Sequence, residues 1–312
     1  MIVPPLYVDG LAYELGDEEH DLDELTSVLS GVRDSLRDAG LASYRTTTRS
    51  PIELARGPLT KTISVLSDDE RASLRRVILA TNSLDSPSLA GAHDLSLLLA
   101  ELGVPQVFPI GLFLSFCANF QSALDLARTL IATGEDDAVL VVCTDVLPPD
   151  RERLVKPNIS VTSDAAVSFL VTASEGPFRL LATRLRADSS LGSLDRGTEF
   201  IQYMDKATRA LVALVDETLG AAQITFEQVS LAIPNNYNNR VCTYTAKAAG
   251  FDESLVFLDN VPRFAHAVAA DNPINLFDCW ASGRVGPGGV VGLIGSGAFQ
   301  WGCSVIEVMS GP

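Results

Sequence analysis

The sequence predicts an α/β fold built from two similar halves. Three observations carry that expectation. Strand-like and helix-like segments alternate along the chain, and the same order of segments occurs twice. The chain has 312 residues, 47% of them hydrophobic, enough for one large core or for two domains of about 150 residues each.

Taken in order, apolar β-branched runs that read as strands lie at 75–82 (RRVILATN), 137–146 (DAVLVVCTDV), 167–174 (VSFLVTAS), 229–236 (VSLAIPNN) and 288–295 (GGVVGLIG). Helical spacing marks 22–40, 119–134 and 203–220, with Gly40, Gly134 and Gly220 standing where a helix C-terminal glycine belongs. In the first half RRVILATN precedes QVFPIGLFLSFCANF, DAVLVVCTDV and DAAVSFLVTAS. In the second, VSLAIPNN precedes LVFLDNVPRFAHAVAA, GGVVGLIGSG and WGCSVIEV. Cys117 and His266 fall at matching places in the two series. The halves join near 173–180, which divides the chain into 1–175 and 176–312. The match is one of element order, not of residue identity, and ordinary α/β alternation can imitate it.

Acidic residues outnumber basic ones 39 to 23, and the net charge of −16 argues against nucleic acid and anionic membranes as main partners. The opening MIVPPLYVDG has neither a basic stretch nor a long apolar one, so no secretion signal is expected. No run of about 18 uncharged apolar residues predicts a membrane-spanning helix. Five cysteines, at 117, 143, 242, 279 and 303, form no CxxC pair. A disulfide framework or a zinc site is therefore not expected, and a reduced, cytoplasmic protein fits.

Histidine is scarce: His20, His93 and His266 are the whole supply. His20 sits in an acidic run that reads as solvated, and His93 lies near a helix start. If the chemistry needs an imidazole, His266 is the leading candidate. Cys117 ends a strand-turn segment and opens an apolar helix, where free backbone N–H groups favour negative charge. That effect is typically about 0.3–1 kcal/mol, too little by itself to ionise a free thiol at neutral pH. A buried structural thiol is the commoner meaning of such a residue. Cys143 and Cys303 in strand-like runs, and Cys242 and Cys279 in helical ones, read as structural.

Four segments bring in a family. SFCANFQSALDLARTLIATGEDDAVLVVCTDV (115–146) resembles the nucleophile segment of ketoacyl-ACP synthase III. TSDAAVSFLV resembles that family's GDGAGAAVL segment, LAIPNNYNNRV its P-H-Q-A-N-x-R motif, and GSGAFQWGCSVIEV its closing G-G-G-F-x-W-G segment. The likeness spans about residues 75–310; the first 70 are shorter than the family's and match poorly. It implies a thiolase-like fold, two pseudo-symmetric halves in a five-layered α-β-α-β-α core, and a homodimer or a heterodimer with a related chain. The half 1–175 would carry Cys117 as the acyl-bearing nucleophile, and 176–312 the base and an oxyanion glycine. The N–H groups of Cys117 and Gly297 would form the oxyanion hole. Arg240 would dock an acidic acyl-carrier protein. The acyl donor would be a CoA or phosphopantetheine thioester, with no resident cofactor and no metal.

The departures point to the reaction. Asn235 stands where the family has histidine in P-H-Q-A-N, and His266 stands where it has asparagine. Asp271 follows five residues after His266. A cysteine with H-x4-D resembles an acyltransferase branch of the family found in antibiotic pathways. Decarboxylative condensation needs two neutral donors to hold an enolate, whereas transfer to a hydroxyl, amine or thiol needs a base for the acceptor's proton. Cys117, His266 and Asp271, with Asn235 as a hydrogen-bonding group, therefore predict acyl transfer to a small-molecule acceptor or a second carrier thiol. Condensation and a non-catalytic partner subunit are the alternatives.

Overall fold

The computed structural model describes residues 4–83 and 89–312. Its strands are β1 (Leu6–Leu15), β2 (Glu18–Asp21), β3 (Ser43–Thr46), β4 (Arg76–Ala80), β5 (Phe108–Leu112), β6 (Ala138–Asp145), β7 (Leu154–Lys156), β8 (Ser160–Val161), β9 (Ala165–Thr172), β10 (Phe178–Ala187), β11 (Val229–Ile233), β12 (Val290–Ser296) and β13 (Gln300–Val308). Its helices are α1 (Ser30–Asp38), α2 (Pro51–Ser64), α3 (Asp68–Ser73), α4 (Leu89–Glu101), α5 (Asn119–Ala132), α6 (Phe200–Ala222), α7 (Asn239–Ala248), α8 (Val261–Phe264) and α9 (Asp271–Ala281).

Nine strands form one ladder in the order β11-β12-β13-β10-β1-β9-β6-β4-β5. Read outward from its middle, the ladder repeats itself. β1 pairs antiparallel with β9, β9 antiparallel with β6, and β6 parallel with β4. On the other side β10 pairs antiparallel with β13, β13 antiparallel with β12, and β12 parallel with β11. The outermost parallel strand β5 has a reduced counterpart, a parallel bridge from Ala232 to Val256. The two series meet edge to edge where β1 and β10 pair antiparallel over Leu6–Val8. We propose the division at residues 175 and 176 because the turn between β9 and β10 separates the series.

Strand alternation sorts side chains into three cores. Ile78, Val141, Val167 and Phe169 share a central core with Leu293 and Ile306 from the other series, and with Phe120 and Leu124 of α5 and Ile274 and Leu276 of α9. The alternate residues Val77, Val142 and Leu170 turn the other way, onto Leu59 of α2 and Leu98 of α4. Cys303 and Val305 likewise turn onto Leu214 of α6 and Ala246 of α7. The layers are therefore helix, sheet, helix, sheet, helix, as the resemblance implied. Both faces of each sheet are covered, which is why β4, β6 and β9 read as near-continuous apolar runs.

Three sequence expectations need correction. Segment 22–40 is not one helix: a short 3-10 turn spans Leu22–Glu24 and α1 starts only at Ser30. Asp21 and Glu24 cap that turn reciprocally, and the Arg33 guanidinium takes the Leu25 and Val28 carbonyls, so a continuous helix is not needed to satisfy them. Gly220 does not end its helix. α6 runs on to Ala222, and Gln223 takes the left-handed cap at φ +58°, letting Ile224 pack on the outer core. Strands β1 and β10 do not stand out as apolar runs in the sequence; in β1 a bulge at Asp9–Ala12 and Gly10 at φ +58° interrupt the alternation.

Candidate active site

Cys117 lies in a single 3-10 turn, Phe116–Ala118, between β5 and α5. Phe116 before it is left-handed, at φ +46°, a conformation costing a non-glycine residue roughly 1–3 kcal/mol. The Ser115 N–H donates to the Asn119 side-chain oxygen at 3.1 Å and braces the turn. The β12–β13 hairpin lies across it. A Cβ on Gly295 would land on the Gln121 side-chain oxygen and 2.8 Å from the Cys117 carbonyl, so this approach requires glycine.

His266 occupies the equivalent place in the second series, after the Val256 bridge and before α9. The residue before it, Ala265, is also left-handed, at φ +49°, and so is Val268, at φ +54°. Its backbone is held by the first half: His266 N–H donates to the Val161 carbonyl at 3.0 Å, and Ser163 N–H donates to the His266 carbonyl at 2.8 Å. The long-range packing thus imposes a conformation that local preference opposes.

The two side chains meet. His266 Nε2 is 3.3 Å from Cys117 Sγ, and Nδ1 is 2.5 Å from Asp271 Oδ2. Asp271, fully buried at the start of α9, also accepts from Ala267 N–H at 2.6 Å and from Asn236 N–H at 2.8 Å. These bonds fix the carboxylate, and the carboxylate fixes the ring. Burial alone would lower the His266 pKa, but the Asp271 charge, then the Cys117 sulfur and the hydrogen bonds to both, carry it well above the ordinary imidazole range. The arrangement can pass a proton from sulfur to ring, release it to a leaving thiol, and then take one from an acceptor.

The remaining sequence candidates are placed differently. Asn235 is fully buried, with its NH2 donating to the Val268 carbonyl at 3.2 Å and its oxygen accepting from Ser296 N–H at 2.8 Å. It ties the end of β11 to the turns that carry His266 and Gly297. The Gly297 amide donates to the Gln300 carbonyl at 2.8 Å, closing the β12–β13 hairpin, and a Cβ at Gly297 would stand 3.7 Å from the Ser115 carbonyl oxygen. Arg240 is exposed on the first turn of α7. Burial pushes the Cys242, Cys279 and Cys303 thiols up to about 12 and raises Cys143 as well, which suits structural thiols. His93 is exposed on α4. His20 is not simply solvated: it sits on β2, 3.0 Å from Glu24 and 2.8 Å from Thr46, stacked on Tyr44. The strand pairing of β2 with β3 draws it in.

One residue went unrecognised. The Tyr237 hydroxyl is 3.5 Å from Cys117 Sγ and donates to the Ser296 carbonyl at 2.6 Å, and its ring lies 4.7 Å from the His266 ring. Its signal in the sequence was an aromatic residue at the alanine position of the P-H-Q-A-N-like segment.

The family 3-Oxoacyl-[acyl-carrier-protein (ACP)] synthase III matches residues 114–189, and its C-terminal counterpart matches residues 219–308, together more than half of the chain. Beta-ketoacyl-[acyl-carrier-protein] synthase III of Escherichia coli strain K12 is 29% identical over 259 residues, covering 76% of this chain and 78% of that protein. Two solved structures show the same fold. ChlB3, described as an acyltransferase, superposes with a TM-score of 0.85 at 18% identity, over 99% of each chain. The Aquifex aeolicus 3-oxoacyl-[acyl-carrier-protein] synthase III does so with a TM-score of 0.79 at 23% identity, over 97% of this chain and 99% of that one. The chain belongs to the ketoacyl-ACP synthase III-like proteins of the thiolase superfamily.

Proposed function

We propose that this protein is an acyltransferase of a secondary-metabolite pathway. It takes an acyl group from an acyl-carrier-protein or CoA thioester onto Cys117 and passes it to a hydroxyl, an amine or a second carrier thiol. The observation that carries this reading is the buried chain Cys117–His266–Asp271, at 3.3 and 2.5 Å. In the first half-reaction, Sγ bonds to the acyl carbon as the donor's carbon–sulfur bond breaks, and the proton moves through His266 to the leaving thiolate. The ring is left neutral in the acyl-enzyme, because its proton has departed with the donor thiol. The neutral ring then takes the acceptor's proton while the Cys117 thioester breaks. The likeness of fold to ChlB3 agrees with this reading.

Decarboxylative condensation is the competing reading, favoured by the identity to the E. coli synthase. Against it stands Asn235, whose amide is occupied at both ends by backbone, and Asp271, whose negative charge sits beside the ring a malonyl carboxylate would approach. We place carrier-protein docking at Arg240, exposed on an acidic molecule. We also propose a homodimer formed along the free edge of β5, where Phe108, Phe113 and Leu114 are exposed.

Intact-mass spectrometry after incubation with acyl-CoA and acyl-carrier-protein panels tests the nucleophile. Cys117→Ala should lose loading entirely, while Cys143→Ala and Cys303→Ala retain it. His266→Ala should slow transfer to the acceptor by roughly 10²–10⁴-fold. Carbon dioxide released from a malonyl thioester in step with product would replace acyl transfer by condensation and leave the nucleophile standing.

A further inference from the structure

We propose that Tyr237 is a catalytic residue whose hydroxyl donates a hydrogen bond to the acyl oxygen on Cys117 as that oxygen becomes an oxyanion. The inference rests on the acyl-transfer reading of this site and adds a component to it. Among the described residues, two polar side chains lie beside the sulfur: His266 Nε2 at 3.3 Å and Tyr237 Oη at 3.5 Å. The imidazole is committed to moving the proton. The phenol is left to meet the charge that develops one bond beyond the acyl carbon.

Its present bonding shows how it would do so. A phenol has one proton, and here that proton goes to the Ser296 carbonyl at 2.6 Å. An oxyanion beside the sulfur is a stronger acceptor, since charge-assisted hydrogen bonds are about twice as strong as neutral ones. Rotation about the phenolic C–O bond redirects the proton without moving the ring. The ring itself is held by its packing on His266, centroids 4.7 Å apart and planes 40° apart. Two other neutral donors of the site are engaged elsewhere. Gly297 N–H is engaged with the Gln300 carbonyl at 2.8 Å, and the Asn235 amide with Val268 and Ser296. Burial raises the Tyr237 pKa well above the ordinary phenol value, so the hydroxyl keeps its proton throughout. During acylation the Cys117 proton goes to His266 and on to the leaving thiolate; the Tyr237 proton stays on Oη, hydrogen-bonded to the oxyanion, and turns back to the Ser296 carbonyl when the acyl carbonyl re-forms.

Tyr237→Phe keeps the ring against His266 and removes only the hydroxyl. Two reactions of Cys117 separate the possibilities. Acylation by a short-chain acyl N-acetylcysteamine thioester passes through an oxyanion. Alkylation by iodoacetamide needs the same thiolate but displaces iodide at a saturated carbon and forms none. The expected result is acylation slowed by roughly 10²–10³-fold, the usual cost of one oxyanion donor, with the alkylation rate and its pH profile unchanged. Equal slowing of both reactions would mean that the hydroxyl positions the thiol, and would overturn the proposal. Unchanged acylation in Tyr237→Phe, with a wild type that loads, would overturn this proposal alone. A wild type that alkylates but never loads would overturn the acyl-transfer reading and this proposal together.

Discussion

At the scale of single residues, two buried titrating groups give the site a readable pH dependence. His266 has a pKa raised above that of an unfolded imidazole, so the folded protein holds its proton more tightly. That linkage stabilises the native state fully below about pH 6.5 and is lost as pH rises through the higher folded value. Asp271→Asn removes the leading raising influence. The variant should fold, transfer acyl groups more slowly, and lose more stability at about pH 6 than at about pH 9, read from urea midpoints. Asp145 acts in the opposite region of pH. Burial raises its pKa to about 6, although Asn82 N–H at 2.6 Å and the Ser83 hydroxyl at 2.9 Å partly offset that. Among the described residues its Oδ2 has no hydrogen-bond partner. The native state therefore binds more protons than the unfolded chain between about pH 4 and pH 6, and stability falls as pH rises through that window, by on the order of 3 kcal/mol. Asp145→Asn should flatten that slope; an unchanged slope would assign it to other groups.

At the scale of elements, the turn that carries Cys117 is shaped by what lies over it. The β12–β13 hairpin reaches Cys117 because Gly295 and Gly302 present no side chain to Gln121 and the Cys117 carbonyl. Gly295→Ala should destabilise the protein by roughly 1–3 kcal/mol, as overpacking does, and slow loading of Cys117 at the same time. Gly31→Ala is the matched control. Gly31 lies in α1 with nothing within 4 Å of its would-be Cβ, so alanine should be neutral or stabilise by up to about 1 kcal/mol. Comparing the two in denaturant separates crowding at the site from helix propensity. The left-handed residues Phe116 and Ala265, one place before Cys117 and His266, are the same device used once in each half.

At the scale of the whole molecule, the fold brings a residue of each half to one point. Cys117 and His266 are 149 positions apart in sequence yet meet at 3.3 Å because both follow the outermost strand position of their series and both helices, α5 and α9, lie in the central layer. The open edge of β5, flanked by exposed Phe108, Phe113 and Leu114, suits a second copy of the chain. Wild type should scatter light as twice the 33.2 kDa chain, and Phe113→Asp with Leu114→Asp should shift it toward one chain. A wild type of single-chain mass at micromolar concentration would remove the dimer.

The alternation of elements, the doubled order and the candidates Cys117, His266 and Asp271 are legible in the residues alone. Those are readable because strands buried on both faces leave unbroken apolar runs, and because scarce residue types at family positions carry chemistry directly. That Asp271 reaches His266, that the Asn235 amide bonds to backbone at both ends, and that Gly297 closes a hairpin depend on the folded arrangement. So does the placing of Tyr237 beside the sulfur. Each of these is a matter of side-chain direction across elements distant in sequence, set by left-handed turns and by the packing of the two sheets about the central helices. No local preference encodes that direction, since at Phe116, Ala265 and Val268 the local preference of the backbone is the one the fold overrides.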